Sequence, residues 1–269
     1  MKIVEWRCIL PMTVDQENGS ERYAIAHRTM DDTDEKGGIQ REVFEQRQFN
    51  EKDALYTKLR YRYKKKIPTL LKWLIPSYIT EIIEETYDQF PLKTSLYSIN
   101  NKPEILKFSV TQIVSEYIGE EQVYDDSYYT PEELKQRQIY YLDVLNYDSA
   151  KAKEFNIHNF ECPEINLQKL PGPAKCDKNK VPEWTKDYKG PMCMVRKIIR
   201  IQISLFGISR IGEDLISGTF LPGLYSDMHK GQIFWAKEWA KLSLDDITKY
   251  EGEIYDKILD ILTKNGCLE

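Results

Sequence analysis

The segment Lys197–Phe206 alternates without a break: Ile199, Ile201, Ile203 and Leu205 fall on one side, and Arg200, Gln202 and Ser204 on the other. A β-strand, whose side chains change face at every residue, gives that arrangement. A strand with one apolar face needs a sheet around it and a layer over it. Lys197 shares the parity of the isoleucines, so an ammonium points to the apolar side near the strand's start. Either its long side chain reaches out to water at the sheet end, or a cation is held inside. Leu55–Tyr63 repeats the pattern, with Thr57, Leu59, Tyr61 and Tyr63 on one face and Lys58, Arg60, Arg62 and Lys64 on the other. Such a sheet is wet on one side and buried on the other. Thr57 therefore points inward, as a core threonine bonded to nearby backbone or as a hydroxyl offered to a ligand.

A third polar group stands on an apolar face in Leu244–Leu262. Ile247, Ile254, Ile258 and Ile261 recur there at helical spacing and define one buried stripe. Glu251 falls inside that stripe, while Glu253, Asp256 and Lys257 lie off it. Ser243, with Asp246 in the first turn, marks the start of a helix expected over 243–264. A buried carboxylate without partners is costly. Glu251 thus either meets a partner inside or reaches water from a loosely packed helix end.

The remaining elements follow from turn and cap signals. Ile3–Leu10 reads as a strand ended by Pro11, Asn18-Gly19 as a turn, and Arg22–Arg28 as a strand returning antiparallel. Val43–Phe49, Thr94–Ile99, Leu106–Tyr117 and Gln138–Val144 read as further strands. Ser77 and Pro91 bracket an expected helix over Ser77–Gln89. Another starts at Thr130-Pro131, and two more are expected at Ile208–Ser217 and Leu224–Lys241. Ile67–Pro76 is apolar, bracketed by prolines and preceded by Lys64-Lys65-Lys66. It is a core element, or an apolar lid that meets a membrane while the lysines are drawn to anionic headgroups. From Ser149 to Pro191 the prolines 163, 171, 173, 182 and 191 interrupt any period, which predicts a long irregular excursion over the surface. The sum is an α+β fold, one domain over 1–269. About six to eight antiparallel strands make its body, and a curved sheet closed over a long helix can enclose a ligand cavity.

Composition removes several function classes. Apolar residues make up 41% and charged residues 30% of the 269, as in soluble globular chains. No apolar run reaches the roughly 18 residues of a membrane-spanning helix, and Met1–Arg7 is unlike a signal peptide. The 5 cysteines show no CxxC spacing and the 3 histidines are scattered. That argues for a reducing compartment, with no disulfide frame and no metal site. A net charge of −5 argues against nucleic acid. No glycine-rich phosphate loop, nucleophile elbow or HExxH motif occurs. What remains is Thr57, Lys197 and Glu251: a hydroxyl, a cation and a carboxylate facing an apolar interior. That set suits a ligand with a phosphate, a polyol and a long hydrophobic part.

At these residues the chain resembles a known family. The opening Glu5-Trp6-Arg7-Cys8-Ile9-Leu10-Pro11 is similar to the first strand of phosphatidylinositol transfer proteins. So are Tyr56-Thr57 with Ile67-Pro68-Thr69 beyond it, Pro131-Glu132 before Tyr141-Leu142-Asp143, and Lys197 ahead of Gly207. The most specific part is the closing run from His229 through Phe234-Trp235-Ala236-Lys237-Glu238-Trp239 and Leu242-Ser243-Leu244-Asp245-Asp246-Ile247 to Glu251. Order and spacing agree along nearly the whole chain, most closely with the soluble single-domain class, and 149–191 matches least.

The resemblance implies a START-like fold, a concave sheet with a long helix across it and one phospholipid buried headgroup-first. It implies a cytoplasmic, monomeric carrier that moves phosphatidylinositol and phosphatidylcholine between membranes, touches them transiently, catalyses no reaction and uses no cofactor. Carried over position by position, inositol contacts fall on Thr57, Leu59, Asp88 and Glu251. Phosphate contacts fall on Glu21, Ser95, approximately Gln112, and Lys197. Thr57, Glu251 and Lys197 match in identity, and Ser95 keeps a hydroxyl. Asp88 puts a carboxylate where the family has an amide. Leu59 stands where it has a lysine, with Lys58 and Arg60 flanking at opposite parity. Glu21 replaces a glutamine and is expected to repel a phosphate. The family's membrane-docking tryptophan pair corresponds to Leu205-Phe206, and its lipid-exchange loop to about 67–75, which holds Trp73 and Leu74. Two other functions stay open: a sensor that presents phosphatidylinositol to lipid kinases, and an enzyme using the same cavity. The lack of a nucleophile and base disfavours the enzyme.

Overall fold

The computed structural model describes residues 1–62, 81–100, 102, 104–204, 207 and 209–268. Eight strands form one sheet: β1 (Lys2–Leu10), β2 (Gly38–Phe49), β3 (Lys52–Arg62), β4 (Glu81–Gln89), β5 (Leu92–Ile99), β6 (Leu106–Glu116), β7 (Gln138–Leu142) and β8 (Cys193–Ile203). Their spatial order is β2-β3-β4-β5-β6-β8-β1-β7. The pairings are antiparallel except the last, where β7 runs parallel to β1. That departs from the all-antiparallel expectation. β1 and β7 can run parallel because most of the sheet, residues 11–137, lies between them in the chain, far more than the long crossover that parallel neighbours require. The helices are α1 (Val14–Asp31), α2 (Pro131–Gln136), α3 (Trp184–Asp187), α4 (Ser209–Leu215), α5 (Leu221–Phe234), α6 (Ala236–Trp239) and α7 (Leu244–Lys264). A π-helical turn, Ile216–Phe220, joins α4 to α5.

Two expected elements change identity. Arg22–Arg28 is not a strand, and Asn18-Gly19 is not a turn: both lie inside α1, whose buried positions include Glu17, Gly19, Ser20 and Glu21. A helix with a polar inner face carries no apolar stripe, so the periodicity that marks helices is missing. Its cap is readable. Thr13 accepts from the Gln16 N–H at 3.2 Å, and Gln16 Oε1 accepts from the Thr13 N–H at 2.9 Å. Gly19 permits close packing on α7, since a Cβ there would lie 3.1 Å from Ile247. The expected helix Ser77–Gln89 is instead β4 over its described part. Ile82, Glu84, Thr86 and Asp88 alternate toward the sheet's inner face. With acids on the inner positions, the apolar alternation that marks a strand is absent.

The main core lies under β1, β6 and β8, where Val4, Trp6, Cys8, Val195, Ile199 and Ile201 meet Ile233, Trp235 and Trp239. Residues 149–191 are irregular as expected but do not merely cross the surface. Phe155, Ile157, Ile165, Leu167, Leu170 and Trp184 are buried in that same core, because anchors without a period still lose water when they pack. The single helix expected over Leu224–Lys241 starts earlier and breaks at Trp235, whose ring stacks on His27 at 4.1 Å between centroids. On the sheet's other face Glu5 is fully buried, 2.9 Å from Arg196 and 2.7 Å from Arg7, with a further bond from Tyr129. Burial alone would raise the Glu5 carboxyl, but Arg196, Tyr129 and Arg7 hold it down to about 2.

Candidate functional site

Between the inner face of β2–β6 and β8 and the helices α1, α5 and α7 lies a cavity of about 420 Å³. Its walls change character along their length. Ile99, Ile105, Leu106, Ile203, Phe220 and Leu221 make one end apolar. Leu224 lines that end and is also 41% exposed, so it stands at the opening. Polar groups gather at the opposite, inner end. All eight positions assigned from the sequence line this one cavity: Glu21, Thr57, Leu59, Asp88, Ser95, Gln112, Lys197 and Glu251.

Lys197 does not reach water. It is 6% exposed, opposite Gln112 in the β6–β8 register, and donates to Gln112 and to Glu21, the latter at 3.4 Å. Gln112 donates in turn to Glu21 at 3.1 Å. Glu21 carries a second ammonium, Lys93, which lies 3.3 Å from Asp88 as well. Burial alone would raise the Glu21 carboxyl; Lys93 and Lys197 pull it well below the usual carboxylate range. Ser95 and Thr86 share a hydrogen bond of 2.7 Å across β4 and β5. The inner end is thus a carboxylate bridged by two ammoniums, with an amide and two hydroxyls beside it.

Glu251 faces inward too, 8% exposed, and its partner is Arg22 on α1. Arg22 also donates to Thr248 at 2.9 Å. Burial raises the Glu251 carboxyl more than Arg22 and Arg41 lower it. Leu59 packs against Ala26, Ile254, Tyr255 and Ile258. Further along, Glu84 accepts from Tyr97 and Thr86, each at 3.0 Å, and from Tyr61. Behind the inner end Glu17 is fully buried, with neither oxygen hydrogen-bonded among the described residues. Burial and the charge of Glu21 push its carboxyl up to about 8.

Sequence reasoning missed Arg22, Lys93 and Glu84. Lys93 shares the parity of Ser95 on β5 and was within reach of that rule. Arg22 and Glu84 were hidden by the misread α1 and β4. The docking positions Trp73, Leu74, Leu205 and Phe206, and the apolar segment 67–76, lie outside the described residues. Among the described residues no helix is long and apolar enough to cross a membrane, and no group of three acidic, histidine or cysteine side chains is placed to hold a metal.

A mostly antiparallel sheet wrapped over helices, with one cavity polar inside and apolar at its mouth, is the START-like α+β fold. The sequence profile described as Phosphatidylinositol transfer protein matches residues 1–256, and the chain belongs to that family. It is 26% identical over 269 residues to "Phosphatidylinositol transfer protein 2" of Dictyostelium discoideum, covering 98% of each chain. It is 23% identical to that organism's "Phosphatidylinositol transfer protein 4", covering 100% of this chain and 79% of the relative. "Cytoplasmic phosphatidylinositol transfer protein 1" of Drosophila melanogaster is 22% identical, with 93% and 88% covered.

Proposed function

We propose that the chain takes up one phospholipid headgroup-first, phosphatidylinositol or phosphatidylcholine, and exchanges it between membranes without chemical change. The observation that carries this reading is the gradient in the cavity. Two ammoniums converge on the carboxylate of Glu21 at the inner end, and apolar side chains line the path to the opening. A phosphate can compete with Glu21 for Lys93 and Lys197. Thr57, Asp88 and Glu251, with Arg22, supply acceptors and donors for inositol hydroxyls, which phosphatidylcholine lacks. Burying acyl chains is worth about 0.8 kcal/mol per methylene, so two chains oppose escape into water by well over ~10 kcal/mol. A carrier therefore has to open at a membrane. Trp73, Leu74, Leu205 and Phe206 are proposed to dock there. The whole chain acts as one lipid-binding domain, monomeric, with no cofactor besides its cargo. The relatives' names carry phosphatidylinositol transfer, and the Drosophila name adds a cytoplasmic setting.

The test combines native mass spectrometry of protein purified from cells with a vesicle-to-vesicle transfer assay. The expected result is one intact phospholipid per chain and transfer of both lipids. An empty chain, or one that turns over a small substrate, overturns the proposal.

A further inference from the structure

Among the described residues, the cationic side chains that line the cavity are Arg22, Arg28, Arg41, Lys93 and Lys197. All but one have acceptors. Arg22 is held by Glu251 and Thr248, and Arg28 by Asp32. Lys93 and Lys197 share Glu21, with Asp88 beside the first and Gln112 beside the second. The Arg41 guanidinium has neither a hydrogen bond nor an ion pair among the described residues. Its neighbours are aromatic: its central carbon lies 4.5 Å from the ring centre of Phe44 and 4.3 Å from that of Tyr255. Nor is it closed off. Arg41 is half-buried and its nitrogens stay accessible, unlike Arg28 Nη1. A guanidinium carries five N–H donors and keeps its charge at any physiological pH. Partly buried and without an acceptor, it is destabilising. A ligand that brings acceptors removes that penalty.

The strand register says which part of a ligand meets it. β2 bulges between Arg41 and Val43, so the three-residue step from Arg41 to Phe44 opposes the two-residue step from Leu59 to Thr57. The bulge keeps both Arg41 and Phe44 on the cavity side. Arg41 is thus paired with Leu59, about 5 Å away between backbones, and Phe44 with Thr57. On the helix side Tyr255 stands one turn beyond Glu251 on α7. The guanidinium therefore rests on the ring opposite Thr57 and on the ring one turn from Glu251. Thr57 and Glu251 are the groups assigned above to inositol hydroxyls. Those hydroxyls accept from a guanidinium. The trimethylammonium of choline offers no acceptor and carries the same charge. Aromatic faces attract a quaternary ammonium, and here Arg41 covers two of them.

We propose that Arg41 selects the headgroup: it donates to inositol hydroxyls and bars choline from the rings of Phe44 and Tyr255. The inference rests on the phospholipid-carrier reading above.

The test offers donor vesicles with equal amounts of dioleoyl phosphatidylinositol and dioleoyl phosphatidylcholine to the purified full chain, to Arg41→Leu and to Arg41→Lys. Each lipid delivered to acceptor vesicles is measured. Arg41→Leu removes a charge-assisted hydrogen bond from one lipid and a repulsion from the other. It should lower the inositol-to-choline ratio at least about tenfold, with phosphatidylinositol transfer falling and phosphatidylcholine transfer rising. Arg41→Lys keeps the charge and loses the planar fork, so its ratio should lie between the two. Thermal melting reports folding, and Arg41→Gln, which keeps most of the stem, gives the same reading should the leucine variant fail to fold. An unchanged ratio in the folded variant overturns the inference, as does an Arg41→Lys protein no more selective than Arg41→Leu. An equal loss of both lipids also overturns it and reduces Arg41 to a phosphate or packing contact. Carriage of neither lipid by the natural protein overturns both this inference and the carrier reading; in the other outcomes the carrier reading stands.

Discussion

Arg22 on α1 donates to the Glu251 carboxylate on α7, with Thr248 as a second acceptor at 2.9 Å. The two side chains are 14% and 11% exposed, so little water screens them. The pair decides between the two readings of Glu251: the carboxylate neither escapes to water nor lies bare in the helix seam.

Removing one member of such a pair strands the other. Glu251→Ala and Glu251→Leu are therefore expected to lower stability by on the order of 1–3 kcal/mol. A purely apolar seam would have gained from leucine. Arg22→Leu combined with Glu251→Leu should recover most of the loss. Thermal melting of the three proteins checks this, and a stabilised Glu251→Leu single variant would refute it. In paired transfer assays Glu251→Gln should lose phosphatidylinositol about tenfold more than phosphatidylcholine, the worth of a charge-assisted hydrogen bond. Equal loss of both lipids would reduce Glu251 to packing.

Glu21 holds the two ammoniums, Lys93 and Lys197, that a phosphate at this end of the cavity would need. Lys93→Met should weaken transfer of phosphatidylinositol and phosphatidylcholine alike, about tenfold, because both lipids present the same phosphate. Adding Glu21→Gln should restore part of the activity, since the carboxylate then no longer competes for Lys197. A double-mutant cycle on transfer rates measures the coupling, expected at roughly 1–3 kcal/mol. Additive losses would show that the two residues act apart.

Glu17 carries a pH signature of opposite sign to ordinary carboxylates. Its carboxyl is pushed up to about 8 in the folded chain, from 4.5. The folded state then holds a proton that the unfolded state releases, so stability falls as pH rises from about 4.5 to about 8. Glu17→Gln should raise the melting temperature clearly at pH ~8.5 and little at pH ~5. A gain that is the same at both pH values would mean that Glu17 does not titrate there.

Glu5 runs the other way. Its folded carboxyl, held down to about 2, contributes stability that is present above its usual value of 4.5 and is lost as pH falls toward 2. The shift corresponds to on the order of 3 kcal/mol. Glu5→Gln should flatten the acid limb of the stability curve while lowering stability at neutral pH. A melting profile of unchanged shape between about pH 4.5 and 2 would overturn this assignment.

Much of the cavity is legible in the amino-acid order alone. Period-2 parity places Thr57 and Lys197 inward, and helical spacing does the same for Glu251; all three line it. The strands β1, β3, β5, β6, β7 and β8 and the helix α7 follow from alternation, caps and apolar stripes. The failures share a physical cause. Sequence periodicity reports apolar burial, and the cavity is where α1 and β4 bury polar groups instead: Glu21 and Arg22 on one, Glu84, Thr86 and Asp88 on the other. The segment 149–191 failed differently, since its buried anchors follow no period at all.

The sequence by itself determined most of the strands, the closing helix and the inward direction of Thr57, Lys197 and Glu251, because those properties repeat at spacings of a few residues. The partners were decided only by the tertiary structure. Arg22 meets Glu251 across 229 residues, and Lys197 meets Glu21 across 176. Both contacts arise from how α1 docks against α7 and the sheet. That packing turns isolated inward charges into paired, hydrogen-bonded ones, and no local pattern encodes the distance between elements that meet only once the chain has folded.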